Sequence, residues 1–338
     1  MLPSPVPPAA RPLPPGPAAS ASEPHPDDPP SPPDVSLAPT LALPDAGSPA
    51  PPSRGFSRGL QLMAASALCF SVMSLLVKVA GARGVPTMQI VLVRCLVMTA
   101  CTLALARQAG VSVGGNDRWT LAGRGLGGAL ALSLLYFALG RLPLGDATAV
   151  HYTAPLWTAL LAAPVLGERV GRAVGLGLAL SLGGVLLISR PSFLLGADAG
   201  GLDTLAVAAA AGGSVLSGAA YVLVRKLRRS DHPLTVVFWL SWIGVALALP
   251  FCVARWAPLD AGDVAVLVGV GLATQAAQVF MTRGLHLEAA GRATAVGYLQ
   301  VVFAFVWGAV VFGTEPDVWS LAGAAVIVAS TLLIARRS

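Results

Sequence analysis

Charge is scarce in this sequence. Of its 338 residues, 11% are Asp, Glu, Lys or Arg, against about 25% in an ordinary soluble domain. So few charges cannot cover a water-facing surface, and a soluble globular protein is excluded. Cysteine is rarer still. Cys69, Cys95, Cys101 and Cys252 each lie inside an apolar run, with no Cys-x-x-Cys pair and no Cys/His cluster. That spacing implies neither a zinc site nor a disulfide framework. No phosphate-binding loop, metal-ligand cluster or catalytic triad is apparent, so neither a cofactor nor an enzyme is expected. Carboxylates are missing from the middle of the apolar runs: Asp146 and Glu168 bracket one run, and Asp203, Asp263 and Asp317 stand at the ends of others.

What is present is apolar. Hydrophobic residues make up 55% of the chain, and the mean hydropathy is +0.73. An integral membrane protein follows. The pI of about 9.6 would suggest nucleic acid in a soluble protein. In a membrane protein it reflects basic loops at an anionic lipid face, so membrane lipids are expected partners and nucleic acid is not.

Residues 1–53 differ from the rest. They hold 19 of the 28 prolines and carry a charge of −4, from Arg11 against Glu23, Asp27, Asp28, Asp34 and Asp45. Such a stretch has no means to bury a core and is expected to be a disordered, proline-rich cytoplasmic tail. It has neither the basic start nor the continuous apolar stretch of a signal peptide. A docking site for a proline-binding domain, a dispensable extension and a start assigned too far upstream all fit this composition.

From residue 60 onward, apolar runs long enough to cross a bilayer recur near 60–80, 86–106, 119–140, 146–166, 171–189, 204–224, 234–254, 262–282, 290–312 and 317–335. Arg124 and four glycines crowd the start of the third. Lipid favours helices here, because each helix satisfies its own backbone. Placing the N-terminus in the cytoplasm puts Lys78, Arg83, Arg141, Arg190 and Arg255 outside and fifteen other Lys and Arg inside, among them the run "RKLRR" at 225–229. The bias predicts both termini in the cytoplasm.

The chain repeats itself. "GDATAVHYTAP" at 145–155 returns as "GRATAVGYLQV" at 291–301, and the match at an offset of 146 continues through Gly167/Gly313, Gly177/Gly323 and "LLISR"/"LLIAR". At an offset of 147, "LLVK" (75–78) faces "VLVR" (222–225) and Pro86 faces Pro233. Each half therefore holds five spans. Five is odd, so the second half enters the membrane from the opposite side. Inverted repeats of this kind predict a pseudo-two-fold axis in the membrane plane and a site where the halves meet. Two near-equivalent halves can exchange conformations, so that each exchange opens the opposite face.

These features resemble the EamA family of the drug/metabolite transporter superfamily. The resemblance rests on "VMSLLVKVAGARGVPTMQIVLVRCL" (72–96), on residues 124–170 with their Leu166-Gly167-Glu168 turn, and on "AAYVLVRKL" (219–227). It implies an all-α membrane protein of ten helices, with repeats at 58–190 and 204–336, that carries small molecules. The second half departs from the turn motif, with "FGTEP" (312–316) in place of Leu-Gly-Glu.

Polar side chains within spans mark the candidate site. Arg94 lies about eight residues into the second span, where an arginine costs about 2.5–3.5 kcal/mol to insert. It can orient an anionic group or brace the fold, and its counterpart in the other half is Ser241. His151, Tyr152, Thr153 and Trp157 lie in the fourth span, with Tyr298 and Gln300 in the ninth. Pro155 is expected to interrupt the fourth helix. Gln275 and Gln278 share a face of the eighth at i, i+3 and should point inward. Tyr136 and Tyr221 are weaker candidates of the same kind. Proton-coupled carriers commonly hold an intramembrane carboxylate; its lack favours facilitated movement or exchange and disfavours export of cationic drugs. The expected activity is transport of small polar or zwitterionic, amino-acid-like metabolites across the cytoplasmic membrane, as export, without a metal or cofactor. The rivals are a lipid-acting membrane enzyme, which would need paired acid/base groups near one interface, and a non-transporting scaffold, which would need residues 1–53.

Overall fold

The computed structural model describes residues 57–191, 203–254, 256–313, 315 and 317–336. The tail expected at 1–53 lies outside the described residues. Among the described residues, twelve helices make ten spans long and apolar enough to cross a membrane. α1 (Arg58–Ala82), α2 (Thr87–Gln108) and α3 (Arg118–Leu139) are the first three. α4 (Leu144–His151) and α5 (Ala154–Leu166) share the fourth, and α6 (Arg172–Ser189) is the fifth. α7 (Thr204–Leu227), α8 (Pro233–Ala254) and α9 (Ala261–Leu287) follow. α10 (Ala290–Val296) and α11 (Leu299–Phe312) share the ninth span, and α12 (Val318–Arg336) is the tenth. All ten spans are apolar enough to cross a bilayer. The protein is all-α and multi-pass.

Local chemistry sets where the helices start and stop. Ser57, Asp117 and Asp203 accept main-chain N–H groups at the first turns of α1, α3 and α7. Asp260 and Asp263 form a reciprocal capping box at α9, which satisfies donors that have no partner inside the helix. α5 and α11 end alike. Gly167 and Gly313, matched at the offset of 146, take the left-handed conformation at φ 70° and 64°. A Cβ disfavours that conformation, so both helices stop at glycine.

The main helix pairings join the two halves rather than each half to itself. α1 packs along α9, α3 along α7, α2 along α8, and α6 along α12. The first two pairings are exchanged by the repeat, because the first span corresponds to the sixth and the third to the eighth. The other two map onto themselves. The α6–α12 crossing shows this in detail. Gly177 abuts Ser330 and Ile334, while Gly323 abuts Gly184 and Ile188, which is the same set of contacts moved by 146. A side chain at Gly184 would come within 2.7 Å of the Gly323 carbonyl, so the close crossing requires glycine there. The halves are therefore interleaved inverted repeats.

Large apolar side chains face outward, among them Val310, Leu205 and Leu160. In water such a surface would drive association; in a bilayer it is the lipid contact. Ser57 hydrogen-bonds Glu288, and Arg292 reaches the Ala335 carbonyl at 3.5 Å. Both ends of the described chain thus gather at one face, the terminal face. At the opposite face Arg83 pairs with Asp263 (2.6 Å) and Asp260 (2.8 Å). These carboxylates, the hydrogen bond to Asp263 first, hold the exposed Arg83 guanidinium above its ordinary pKa.

Candidate functional site

The fourth and ninth spans are each broken in mid-membrane, at matched positions. α4 stops at His151 and α5 starts at Ala154; α10 stops at Val296 and α11 starts at Leu299. The first break has a steric cause. Pro155 has no N–H and its ring would collide with the carbonyl four residues back, so the helix cannot run unbroken through His151. The break falls at Tyr152–Thr153, and Pro155 then sits in the first turn of α5, where it is tolerated. In the second break Gly297 takes the turn, where an added Cβ would lie 2.9 Å from the Thr294 carbonyl.

Breaking a helix in lipid frees carbonyls that must find donors. The Leu156 N–H, which a continuous helix would give to Tyr152, instead bonds Thr153 at 2.9 Å. The Tyr152 carbonyl is taken by the Tyr298 hydroxyl at 2.8 Å. Tyr298 is fully buried, and its ring stacks on that of Tyr152 with centroids 6.1 Å apart. His151 packs edge-on to Tyr152 at 6.0 Å. Thr153 bonds Ser214 on α7 at 3.0 Å.

Two more side chains extend this cluster. Tyr221 on α7 lies within electrostatic reach of Tyr152, and Arg124 on α3 lies within reach of Tyr221. Three of the four tyrosines in the chain thus converge near the two breaks. Arg124 is 4% exposed and makes no hydrogen bond or ion pair with a described residue; its Nε is buried without a partner. His151 Nδ1 is also buried and unpartnered. In the sequence Arg124 stands only as a basic residue crowding the start of the third span. Its signal was present, an arginine inside a run of glycines, but periodicity does not tell a buried arginine from one reaching back to water.

None of the other candidates makes a side-chain hydrogen bond or ring contact with this cluster among the described residues. Arg94 is half-buried on α2 with its Nε unpartnered. Tyr136 packs on the apolar seam of Val91, Cys95 and Val245. Gln275 is engaged with Thr102 through both ends of its amide, at 2.9 and 3.1 Å, so it ties α9 to α2. Gln278 keeps a buried, unpartnered Oε1. Trp157 is part-exposed on α5, and Gln300 lies in the first turn of α11.

Beneath the cluster, toward the terminal face, lies a second constellation. Arg225 on α7 pairs with Glu168 at 2.7 Å and donates to the carbonyls of Leu285 and His286 at 3.0 and 2.7 Å. The other Glu168 oxygen accepts the Ala290 N–H at 2.7 Å. One buried pair thus binds the end of α5 to α7, α9 and the start of α10. No repeat counterpart of this latch occurs at the opposite face among the described residues. The ion pairs there join Arg83 to the start of α9 and Arg190 to Asp317 before α12. There the counterpart of Arg225 is Lys78, which lies 3.8 Å over the Phe312 ring. Packing follows the same asymmetry. α5 packs on α10, whose Ala290, Ala293, Ala295 and Val296 are fully buried. α11, running toward the other face, buries only Val301.

Near the terminal face, His232 accepts the Leu234 N–H on Nδ1 at 3.2 Å. Burial, and then the Arg283 charge, hold its pKa below the ordinary value. No group of three metal-ligating side chains occurs among the described residues.

Comparison with known proteins agrees with the two-repeat fold. The EamA-like transporter family matches twice, over residues 57–190 and 204–336. The pseudopaline exporter CntI of Pseudomonas aeruginosa is 30% identical over 283 residues, spanning 82% of this chain and 96% of its own. Human solute carrier family 35 member G1 is 32% identical over 292 residues, spanning 81% and 78%. A solved crystal structure superposes with a TM-score of 0.70 at 22% identity, covering 82% of this chain and 98% of the other.

Proposed function

Because this chain belongs to the EamA-like transporter family, we propose that it is a secondary carrier that moves small polar or zwitterionic, amino-acid-like metabolites by alternating access. The observation that carries this reading is the unequal closure of two equivalent halves. The terminal face is latched by Glu168 and Arg225 and by the packing of α5 on α10. At the opposite face the counterpart of Arg225 makes only the contact of Lys78 on Phe312, and the ion pairs of Arg83 and Arg190 there are more exposed than the Arg225–Glu168 pair. The repeat supplies a second state of similar energy in which the roles of the faces are exchanged. The broken helices at Tyr152 and Tyr298 lie at the pivot between them.

The carrier lies in the cytoplasmic membrane with both termini in the cytoplasm, as the excess of Lys and Arg at that face favours. With the terminal face latched, exchange of solute would take place at the outer face. The direction is export, a reading supported by a relative that is an exporter. Arg94 orients or braces beside the path.

The test is reconstitution of the purified protein in liposomes with a panel of radiolabelled amino acids. Counterflow of at least one of them, abolished by locking the terminal face with a crosslink between α5 and α10, is expected. A protein that inserts and folds but moves none of the panel would overturn the reading.

A further inference from the structure

This protein contains two kinds of buried arginine. Arg225 is satisfied, with a carboxylate and two carbonyls around its guanidinium. That is what a bracing arginine looks like in this fold. Arg124 is at least as buried, 4% exposed against 7%, and has none of these partners among the described residues. Its Nε is buried without a partner. The residue lies six residues into α3, roughly 9 Å along the axis, and its long side chain stays inside.

Its surroundings are shaped around it. Gly128, one turn on, faces the guanidinium, and a Cβ there would sit 2.5 Å from Nη1. Leu240 of α8 closes the same space at 3.3 Å from that position. The Tyr221 phenol on α7 lies within electrostatic reach of Arg124. The site lies one helical turn from the latch, since Tyr221 and Arg225 are four residues apart on α7.

We propose that Arg124 is the anchor for a carboxylate of the transported solute. An unpaired guanidinium presents a planar fork that fits a carboxylate in bidentate fashion. Such a buried cation gains its counter-ion only when the solute arrives. The asymmetry of the repeat supports the assignment: at the offset of 146 the counterpart of Arg124 is Val270, which is fully buried. The second half therefore offers no duplicate charge, and the solute binds in one orientation.

This inference rests on the carrier reading, and its test separates the two. Wild-type proteoliposomes are assayed with labelled amino acids, and each transported amino acid is compared with its carboxamide, which keeps the shape and loses the negative charge. A preference of about tenfold or more for the carboxylate is expected. Arg124→Gln should remove that preference, and Arg124→Lys should keep part of it. Equal transport of acid and amide by the wild type, or an undiminished preference in Arg124→Gln, overturns the assignment and leaves the carrier reading standing. No transport of any panel member overturns both. Should Arg124→Gln fail to fold, the wild-type comparison of acid and amide still decides.

Discussion

The Tyr298 hydroxyl donates to the main-chain carbonyl of Tyr152 at 2.8 Å, and each of these residues is the other's counterpart in the repeat. One half thus repairs the helix break of the other with its own break residue. The relation is not reciprocal, because no matching bond runs from the Tyr152 hydroxyl to the Tyr298 carbonyl among the described residues. A conformational exchange between the halves would let the two tyrosines trade roles.

Tyr298→Phe removes the donor and leaves a buried carbonyl unpaired. A lost buried hydrogen bond of this kind costs about 1–3 kcal/mol. The expected result is a lower thermal midpoint in detergent and slower transport. Tyr152→Phe should be milder, because its carbonyl, not its hydroxyl, makes the bond. Equal losses in the two variants would mean that the rings, not the hydrogen bond, hold the break.

The latch predicts an effect on access. Glu168→Gln keeps the shape of the side chain but removes the charge opposite Arg225, which is buried in the closed state. Truncating one partner of a buried pair is costly chiefly because the other charge is left uncompensated. Opening of the terminal face should therefore become easier. With the native cysteines replaced, a cysteine introduced at Ala293, fully buried in α10, should react several-fold faster with a thiol reagent in Glu168→Gln than in the unaltered latch. Unchanged reactivity would remove the latch from the gating cycle.

Much of this architecture could be read in the residues, and the reason is period. The doubled phrase at 145 and 291, the ten apolar runs and the odd number per half are all one-dimensional signals, and lipid leaves helices as almost the only solution. The end-glycines Gly167 and Gly313 stand in the sequence as a matched pair at the offset of 146. The site was less legible. Gln275 and Gln278 share a helix face, yet one is spent on Thr102 and the other is left unpartnered, a difference that spacing does not encode. Pro155 pointed to a broken helix, but not to a break three and two residues before it, because the steric conflict acts four residues back. The burial of Arg124 is not legible in the residues, because a basic residue near a span end has the same pattern whether it anchors at the interface or lies buried.

Arg94 gives a separate test. It is half-buried in α2 with its Nε unpartnered, and the other half has Ser241 in its place, which bonds Thr99 at 3.0 Å. If it orients solute, Arg94→Ala should cut transport by about tenfold while expression and thermal midpoint stay near those of the wild type. If it braces the fold, the midpoint should fall together with transport. Normal transport at equal expression would remove Arg94 from both roles.

The last prediction concerns pH and lies outside the spans. His232 precedes α8 and accepts the Leu234 N–H through Nδ1, an acceptor role that only neutral imidazole can fill. Burial and Arg283 hold its pKa below 6.5, the ordinary value. The unfolded chain therefore takes up the proton first as pH falls, and stability should decline below about 6.5. Asn in this position keeps a side-chain acceptor at the helix start but does not titrate. Between pH 7.5 and 5.5 the thermal midpoint of the wild type should thus fall further than that of His232→Asn. Parallel curves would show that protonation of His232 does not contribute to the acid sensitivity of the terminal face.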